Sequence, residues 1–262
     1  MQNAMFSGVF AALTTEHRMA AISNNMANVT TTGYKQDLLA FRDTMYHFAH
    51  DYIREPLEHM RHDPLFPAMQ NRARVRIAEV KTDFSQGSMV YTGNALDVAI
   101  AGEGFFRMQT PYGEFLSRNG NFCQNADGTL VSKQGYVLEG EAGPIQIPQG
   151  TRNIHIDSSG GVYADDALIG RIALISYDKL EALEKIGDNL YRVAAGFEVE
   201  ETDPRAAGSL INQGYSESAN VNTVTEMVNM IEVQRHFEAI QKVMQSSDAF
   251  DREAISKVAR PR

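Results

Sequence analysis

The chain has 262 residues, 43% hydrophobic and 22% charged, and 24 Lys plus Arg against 33 Asp plus Glu give a formal net charge of −9. It is too apolar for general disorder and long enough to bury roughly three quarters of its unfolded surface, while its acidic balance argues against a nucleic-acid binder. One cysteine, Cys123, excludes an intramolecular disulfide, and no apolar run approaches the ~20 residues of a membrane helix, so direct membrane insertion is not expected.

The N-terminal stretch MQNAMFSGVFAALTTEHRM lacks the basic start of a cleaved signal peptide, so any export is expected to use another route. Its apolar residues Met5, Val9, Ala12, Met19, Ile22, Met26 and Val29 recur at helical spacing, predicting a helix over 3–28 with Gly33 as a left-handed stop. Asn24, Asn25 and Asn28 are poor helix formers near its end. They read either as fraying into the turn that follows or as amides that reach a neighbouring molecule.

Residues 41–74 are expected to start helical and continue as an extended connector, since Pro56, Pro64 and Pro67 oppose helix. His47 with His50 and His59 with His62 form two pairs at a spacing of three, with Asp51 and Asp63 close behind. On helical turns each pair could face one side and bind zinc or nickel, since imidazole is a good ligand. The plainer reading, a polar connector with adventitious histidines, is preferred, and no metal or other cofactor is expected.

The region 75–199 reads as all-β. It holds 14 of the 20 glycines between Gly87 and Gly170, with turn signals at Pro111-Tyr112-Gly113 and Asn125-Ala126-Asp127-Gly128. Strands are expected at 97–101, 104–108, 130–132, 136–138, 145–147, 154–156 and 171–176, with a short surface helix at 178–186. Asp97 and Glu103 could be imagined as a catalytic pair, but Asp97 starts a strand and is more simply a hydrogen-bond acceptor at a turn. Cys123 is expected to be partly buried and not a nucleophile. No nucleophile elbow, phosphate loop or zinc-protease string occurs, so no enzyme is expected.

The last segment predicts a helix over 223–257. Met230, Val233, Phe237, Ile240 and Met244 step by three and four as an a/d seam. Val224, Val228 and Ile231 form a second apolar row, Thr223 with Glu226 reads as a capping box, and Glu238–Lys242, Asp248–Arg252 and Glu253–Lys257 are favourable i,i+4 pairs. Two long amphipathic helices at opposite chain ends most simply pair with each other. Either both apolar rows pack into this chain's own core, or the second row needs another partner, for which a neighbouring subunit is the natural candidate. The separateness of the β middle favours the latter. The fold class is thus mainly β with α-helical termini: the terminal helices pair as a coiled-coil-like domain, and a β-rich connector leads to a central all-β domain. The boundaries are 1–35, 36–75, 76–211 and 212–262.

Four strings resemble the bacterial flagellar rod and hook protein family. They are Ile22-Ser23-Asn24-Asn25-Met26-Ala27-Asn28-Val29-Thr30-Thr31-Thr32-Gly33-Tyr34-Lys35; Gln86-Gly87 through Thr92-Gly93-Asn94 to Leu96-Asp97-Val98-Ala99-Ile100 and Gly102-Glu103-Gly104-Phe105-Phe106; Ser117-Arg118-Asn119-Gly120-Asn121-Phe122; and Gln213-Gly214-Tyr215 with Glu217-Ser218-Ala219-Asn220-Val221 and Glu226-Met227-Val228-Asn229-Met230-Ile231. The resemblance implies a structural subunit of the axial rod, stacked helically with copies of itself and with other rod proteins to transmit torque from motor to hook. It also implies export from the cytoplasm through the flagellar type III apparatus and a place in the periplasmic part of the basal body.

The strings Met1-Gln2-Asn3-Ala4-Met5 and Gly143-Pro144-Ile145-Gln146-Ile147-Pro148 are similar to the proximal-rod branch, whereas Asn189-Leu190-Tyr191 is shared with the distal-rod branch. The implied assembly interface comprises Met5, Val9, Met19, Ile22, Asn24, Asn25, Met26, Asn28, Met227, Met230, Val233, Phe237, Ile240 and Met244. Phe6 and Phe10 lie in an apolar string similar to an export signal. A β-domain metal protein or enzyme is the alternative from a different class.

Overall fold

The computed structural model describes residues 2–46, 72–194, 196–197 and 199–258. Helix α1 covers Gln2–Ala27 and helix α2 covers Thr223–Val258, and nearly everything described between them is strand and turn. The chain divides into two compact units, one of residues 1–23, 39–80 and 227–262, the other of residues 24–38 and 81–226.

In the first unit, a Cβ placed on Gly8 would lie 2.8 Å from Met244 Cγ, so α1 and α2 approach closely there. On α2 the a/d seam is the covered side: Val233 is buried and Met230, Phe237, Ile240 and Met244 are half-buried. Val224, Met227, Val228 and Ile231 are 50–70% exposed. At 3.6 residues per turn, Val224 and Val233 differ by roughly 180° around the helix axis. The two apolar rows therefore occupy opposite sides, and one neighbouring helix covers only one of them. On α1, Ile22 is buried and Met19 and Met26 are half-buried, while Val9 and Leu13 face solvent.

The second unit is built on antiparallel pairing. Its main sheet runs Leu183–Gly187, Leu190–Val193, Gly113–Ser117, Phe105–Thr110, Val137–Gly140, Leu130–Ser132 and Phe122–Gln124 in spatial order. Alternation along Phe105–Thr110 feeds two cores. Phe106 and Met108 join Val98, Leu138 and Ile172 on one face, while Phe105 joins Leu116, Ile175 and Tyr191 on the other. A three-stranded meander of Ile154–Ile156, Gly161–Ala164 and Ala167–Arg171 packs its Ile156 and Val162 into the larger core. The chain then returns: Leu210–Gln213 pairs with Val98–Ala101, and Tyr215–Glu217 pairs with Met89–Tyr91.

Several expectations are corrected. The start of the connector is not helical: Asp37–Tyr46 is a strand paired with Arg72–Thr82, which satisfies its backbone without a helix. The segment expected as a surface helix is a single 3-10 turn, Leu180–Ala182, followed by the strand Leu183–Gly187. Asp188 and Asn189 take positive φ of 50° and 57°, the geometry of a tight two-residue hairpin, and that turn commits both flanks to strand. The expected strand at 171–176 is broken between Ala167–Arg171 and Leu174–Tyr177, which belong to different sheets. Residues 145–147 add a bridge from Gln146 to Thr129 rather than a strand, although Ile145 and Ile147 are buried.

The cap of α2 is Asn222, one residue earlier than the capping-box reading: its Oδ1 accepts from the backbone N–H of Val224 at 3.0 Å and of Thr225 at 3.3 Å. Cys123 is exposed on the edge strand Phe122–Gln124 rather than partly buried. The expected turns at 111–113 and 125–128 do close hairpins, and Gly33 has the left-handed φ of +69°. His47, His50, His59 and His62 lie outside the described residues.

Candidate functional site: a polar clasp around the N-terminal motif

The string that ends α1 is not surface decoration. Residues 24–38 enter the β unit and are held there by a connected set of buried polar groups. At its centre Glu217, on the returning strand, accepts at Oε1 from Lys35 Nζ (2.7 Å) and the Gly87 backbone N–H (2.9 Å), and at Oε2 from Arg118 Nε (2.8 Å). Lys35 and Glu217 side chains are each 1% exposed and Arg118 is 4% exposed. Two cations thus share one carboxylate. The surplus positive charge is met by carbonyl dipoles: Lys35 Nζ also donates to Ser85 O at 2.6 Å, and the Arg118 guanidinium donates to the carbonyls of Gly102 and Gly104.

Gly33 is what lets the motif come so near. Its N–H donates to the Glu217 carbonyl at 2.8 Å, and a Cβ there would fall 2.6 Å from the Arg118 backbone. Around it, Thr32 donates to Asn119 Oδ1, and Asn189 Nδ2 donates to the Thr32 carbonyl. Asn220 Oδ1 accepts from the Gln36 N–H at 2.7 Å, and Gln36 Nε2 donates to Glu226 Oε1 at 3.0 Å. Lys185 Nζ reaches the Lys35 carbonyl and Asp37 Oδ1, both at 2.9 Å, and lies 4.1 Å from the Tyr34 ring centre.

The three asparagines of the motif separate in role. Asn25 is 2% exposed; its Nδ2 donates to the Asp37 carbonyl, and its Oδ1 accepts from the Asp37 N–H and the Tyr34 hydroxyl, each at 3.0 Å. Buried, and with its oxygen accepting twice within its own chain, this amide is turned inward. Asn28 Nδ2 donates to the carbonyl and Oδ1 of Asn24, and both of these sit nearer the surface. Of the other expected interface positions, Val9 and Met227 face solvent, Ile22 and Val233 are buried, and Met19, Met26, Met230, Phe237, Ile240 and Met244 are half-buried. Phe10 is half-buried, and the side chains of Met5 and Phe6 lie outside the described residues. Sequence reasoning missed the ion cluster, because Lys35, Arg118 and Glu217 are far apart along the chain. The only available signal was that each stands inside one of the four strings.

Burial pushes the Lys35 ammonium below its ordinary range despite the opposing pull of Glu217. Burial, followed by the nearby Asp37 charge, pushes both the Tyr34 and Tyr191 hydroxyls well above theirs. Above the ordinary tyrosine value of 10.0 the folded chain keeps protons that the unfolded chain has lost. The stability these two groups contribute is therefore complete below pH 10 and falls above it, at about 1.4 kcal/mol per pH unit for each. Lys35 acts with the opposite sign, but only between its lowered value and 10.5. Urea unfolding followed from neutral pH to above 10 is expected to show this loss, with two tyrosines ionising only as the chain unfolds. Tyr34→Phe should reduce the slope by about 1.4 kcal/mol per pH unit.

Asp97 is a turn residue: its Oδ1 accepts from Asn94 Nδ2 at 3.1 Å and its carbonyl accepts from the Gly214 N–H. Among the described residues no group of three or more His, Cys, Asp or Glu side chains is arranged to hold a metal, and no described helix is long and apolar enough to cross a membrane.

Comparison with known proteins gives two domain matches. Residues 99–164 match the flagellar hook protein FlgE/F/G D1 domain, and residues 212–256 match the C-terminal domain of flagellar basal body rod FlgEFG proteins. Among individual relatives, the chain is 35% identical over 240 residues to the flagellar basal-body rod protein FlgG of Buchnera aphidicola subsp. Schizaphis graminum, covering 88% of this chain and 90% of that protein. It is 32% identical over 262 residues to FlgF of Caulobacter vibrioides, covering 99% of both. FlgG of Bacillus subtilis is 29% identical over 269 residues.

Proposed function

The chain belongs to the flagellar basal-body rod protein family and is a structural subunit of that rod, not an enzyme, and from this premise we propose that it occupies the proximal segment. The observation carrying this reading is the end-to-end match to a FlgF protein at 32% identity over 99% of both chains, against 29% for the FlgG protein matched over 98% of this chain. The higher identity to FlgG favours the distal rod as the second reading.

In the rod, helices α1 and α2 pair along the seam Met230, Val233, Phe237, Ile240 and Met244 as a coiled-coil-like domain drawn from the terminal segments 1–35 and 212–262, of which residues 24–35 and 212–226 fall within the compact β unit. Residues 36–75 connect it to a β domain of residues 76–211. The apolar row at Val224, Met227, Val228 and Ile231 takes a neighbouring axial subunit, either a copy of this chain or another rod protein. Support comes from the exposure of that row opposite the covered seam. Helical stacking through such contacts carries torque, because a lattice of paired helices resists twisting. The subunit leaves the cytoplasm through the type III export apparatus, with Phe6 and Phe10 in the apolar string that is read there.

A clean deletion is expected to leave cells without hooks or filaments, and imaged basal bodies should show rods truncated at the level where this subunit belongs. Truncation near the membrane supports the proximal reading, and truncation farther out supports the distal one. Normal motility would refute a rod role altogether. In the same strain, a Phe6→Ser and Phe10→Ser copy should be made but not secreted; undiminished secretion would remove the export assignment.

A further inference from the structure

The β unit holds a groove of about 680 Å³ outside the clasp, between the loop 93–95 and the three-stranded meander. That size falls in the range of small-ligand sites, about 300–1,000 Å³. Tyr91 stands on one wall, 70% exposed, in edge contact with Tyr215 at 5.3 Å between ring centres. Two glycines of positive φ leave room beside its ring: a Cβ on Gly214 would lie 3.3 Å from Tyr91 Cε2, and one on Gly93 would lie 3.7 Å from Cε1. A large aromatic ring presented to water in this way gives up the burial that aromatic side chains normally gain.

The facing wall carries Tyr163, whose ring lies beside His155 at 6.3 Å and 32°. Gln213 joins the walls: its Nε2 donates to the Ala95 and Ile154 carbonyls, and its Oε1 accepts from the Ile156 N–H. The groove is therefore a braced feature of the fold. Three of its polar side chains, those of Asn153, His155 and Asp166, make no side-chain hydrogen bond among the described residues, so their donors and acceptors are free for a ligand.

We propose that this groove binds a neutral or N-acetylated pyranose oligosaccharide. A sugar ring offers an apolar C–H face bordered by hydroxyls that both donate and accept. An exposed tyrosine matches the face, and uncommitted amide, imidazole and carboxylate groups match the hydroxyls. The Asp157 and Asp166 carboxylates make the groove unsuited to an anionic chain. A tyrosine wall alone would equally suit a proline-rich peptide, but the free carboxylate and amide groups favour the hydroxyl-rich ligand.

The test titrates the full chain with the tetrasaccharides of β-1,4-linked N-acetylglucosamine and of β-1,4-linked glucose, and in parallel with a proline-rich peptide. Calorimetry and tyrosine fluorescence both report, since the chain has 10 Tyr and no Trp. Saturable sugar binding with a Kd on the order of 1 mM or tighter is expected, weakened about tenfold or more by Tyr91→Ala and several-fold by Asn153→Ala, with unchanged urea midpoints. Asp166→Asn serves as a further variant should Tyr91→Ala alter folding. Lack of saturation by either sugar, undiminished binding by both Tyr91→Ala and Asn153→Ala, or binding of the peptide alone would overturn the proposal. None of these outcomes bears on the rod assignment, which rests on the deletion.

Discussion

Replacing Glu217 by Ala is expected to destabilise the β unit by about 3–5 kcal/mol, because it strands two buried cations at once. In the native chain Lys35 and Arg118 share that carboxylate at 2.7 and 2.8 Å, with almost no exposure to water. Removing it leaves two positive charges near each other, countered by the carbonyls of Ser85, Gly102 and Gly104 and, at Lys35, by the more distant Asp83 charge. Lys35→Met should cost much less, since it leaves the neutral Glu217–Arg118 pair. The ordering of the two variants in urea unfolding is the decisive reading. Equal losses would mean that packing, not charge, holds the motif. Domains are commonly stable by only about 5–15 kcal/mol, so the Glu217 variant should also lose much of its folded population in the cell.

The second large effect concerns assembly. A Val228→Ser, Ile231→Ser double variant is expected to fold with stability changed by no more than about 0.5 kcal/mol per site, because both side chains are half exposed on the uncovered side of α2. It should nevertheless fail to restore motility to the deletion strain while still being secreted. Burial of the exposed half of each such side chain against a neighbour is worth roughly 0.8–1.5 kcal/mol, a loss repeated at every subunit contact along the rod. Val233→Ser is the contrasting case. Val233 is 3% exposed, so its loss should appear in the unfolding curve of the isolated chain. Full complementation by the double variant would place the subunit contact elsewhere.

Local physics explains most of what could be read in advance. Apolar spacing of three and four defined both terminal helices to within two residues, and Pro-Tyr-Gly and Asn-Ala-Asp-Gly marked hairpins that do form. A left-handed stop at Gly33 follows from the glycine itself. Failures came where a local preference was outweighed. Asn222 rather than Thr223 caps α2, because Asn222 Oδ1 reaches the free N–H groups of Val224 and Thr225. Residues 178–186 look helical as an isolated window, yet Asp188-Asn189 close a hairpin whose partner strand supplies the hydrogen bonds.

Sequence by itself therefore determined the helical ends, the β middle, the turn positions and, through four ordered strings, the family. It could not determine what those strings are for, since their meaning lies in contacts between residues far apart in the chain, such as Lys35 and Glu217, 182 positions apart. Nor could it show that Asn25 is turned inward while the row at Val228 and Ile231 is turned outward. A pattern in the chain records which residues share a face of an element. Which face is covered is decided only when the other elements pack against it, because burial and ion pairing depend on everything that surrounds a side chain and not on its neighbours in sequence.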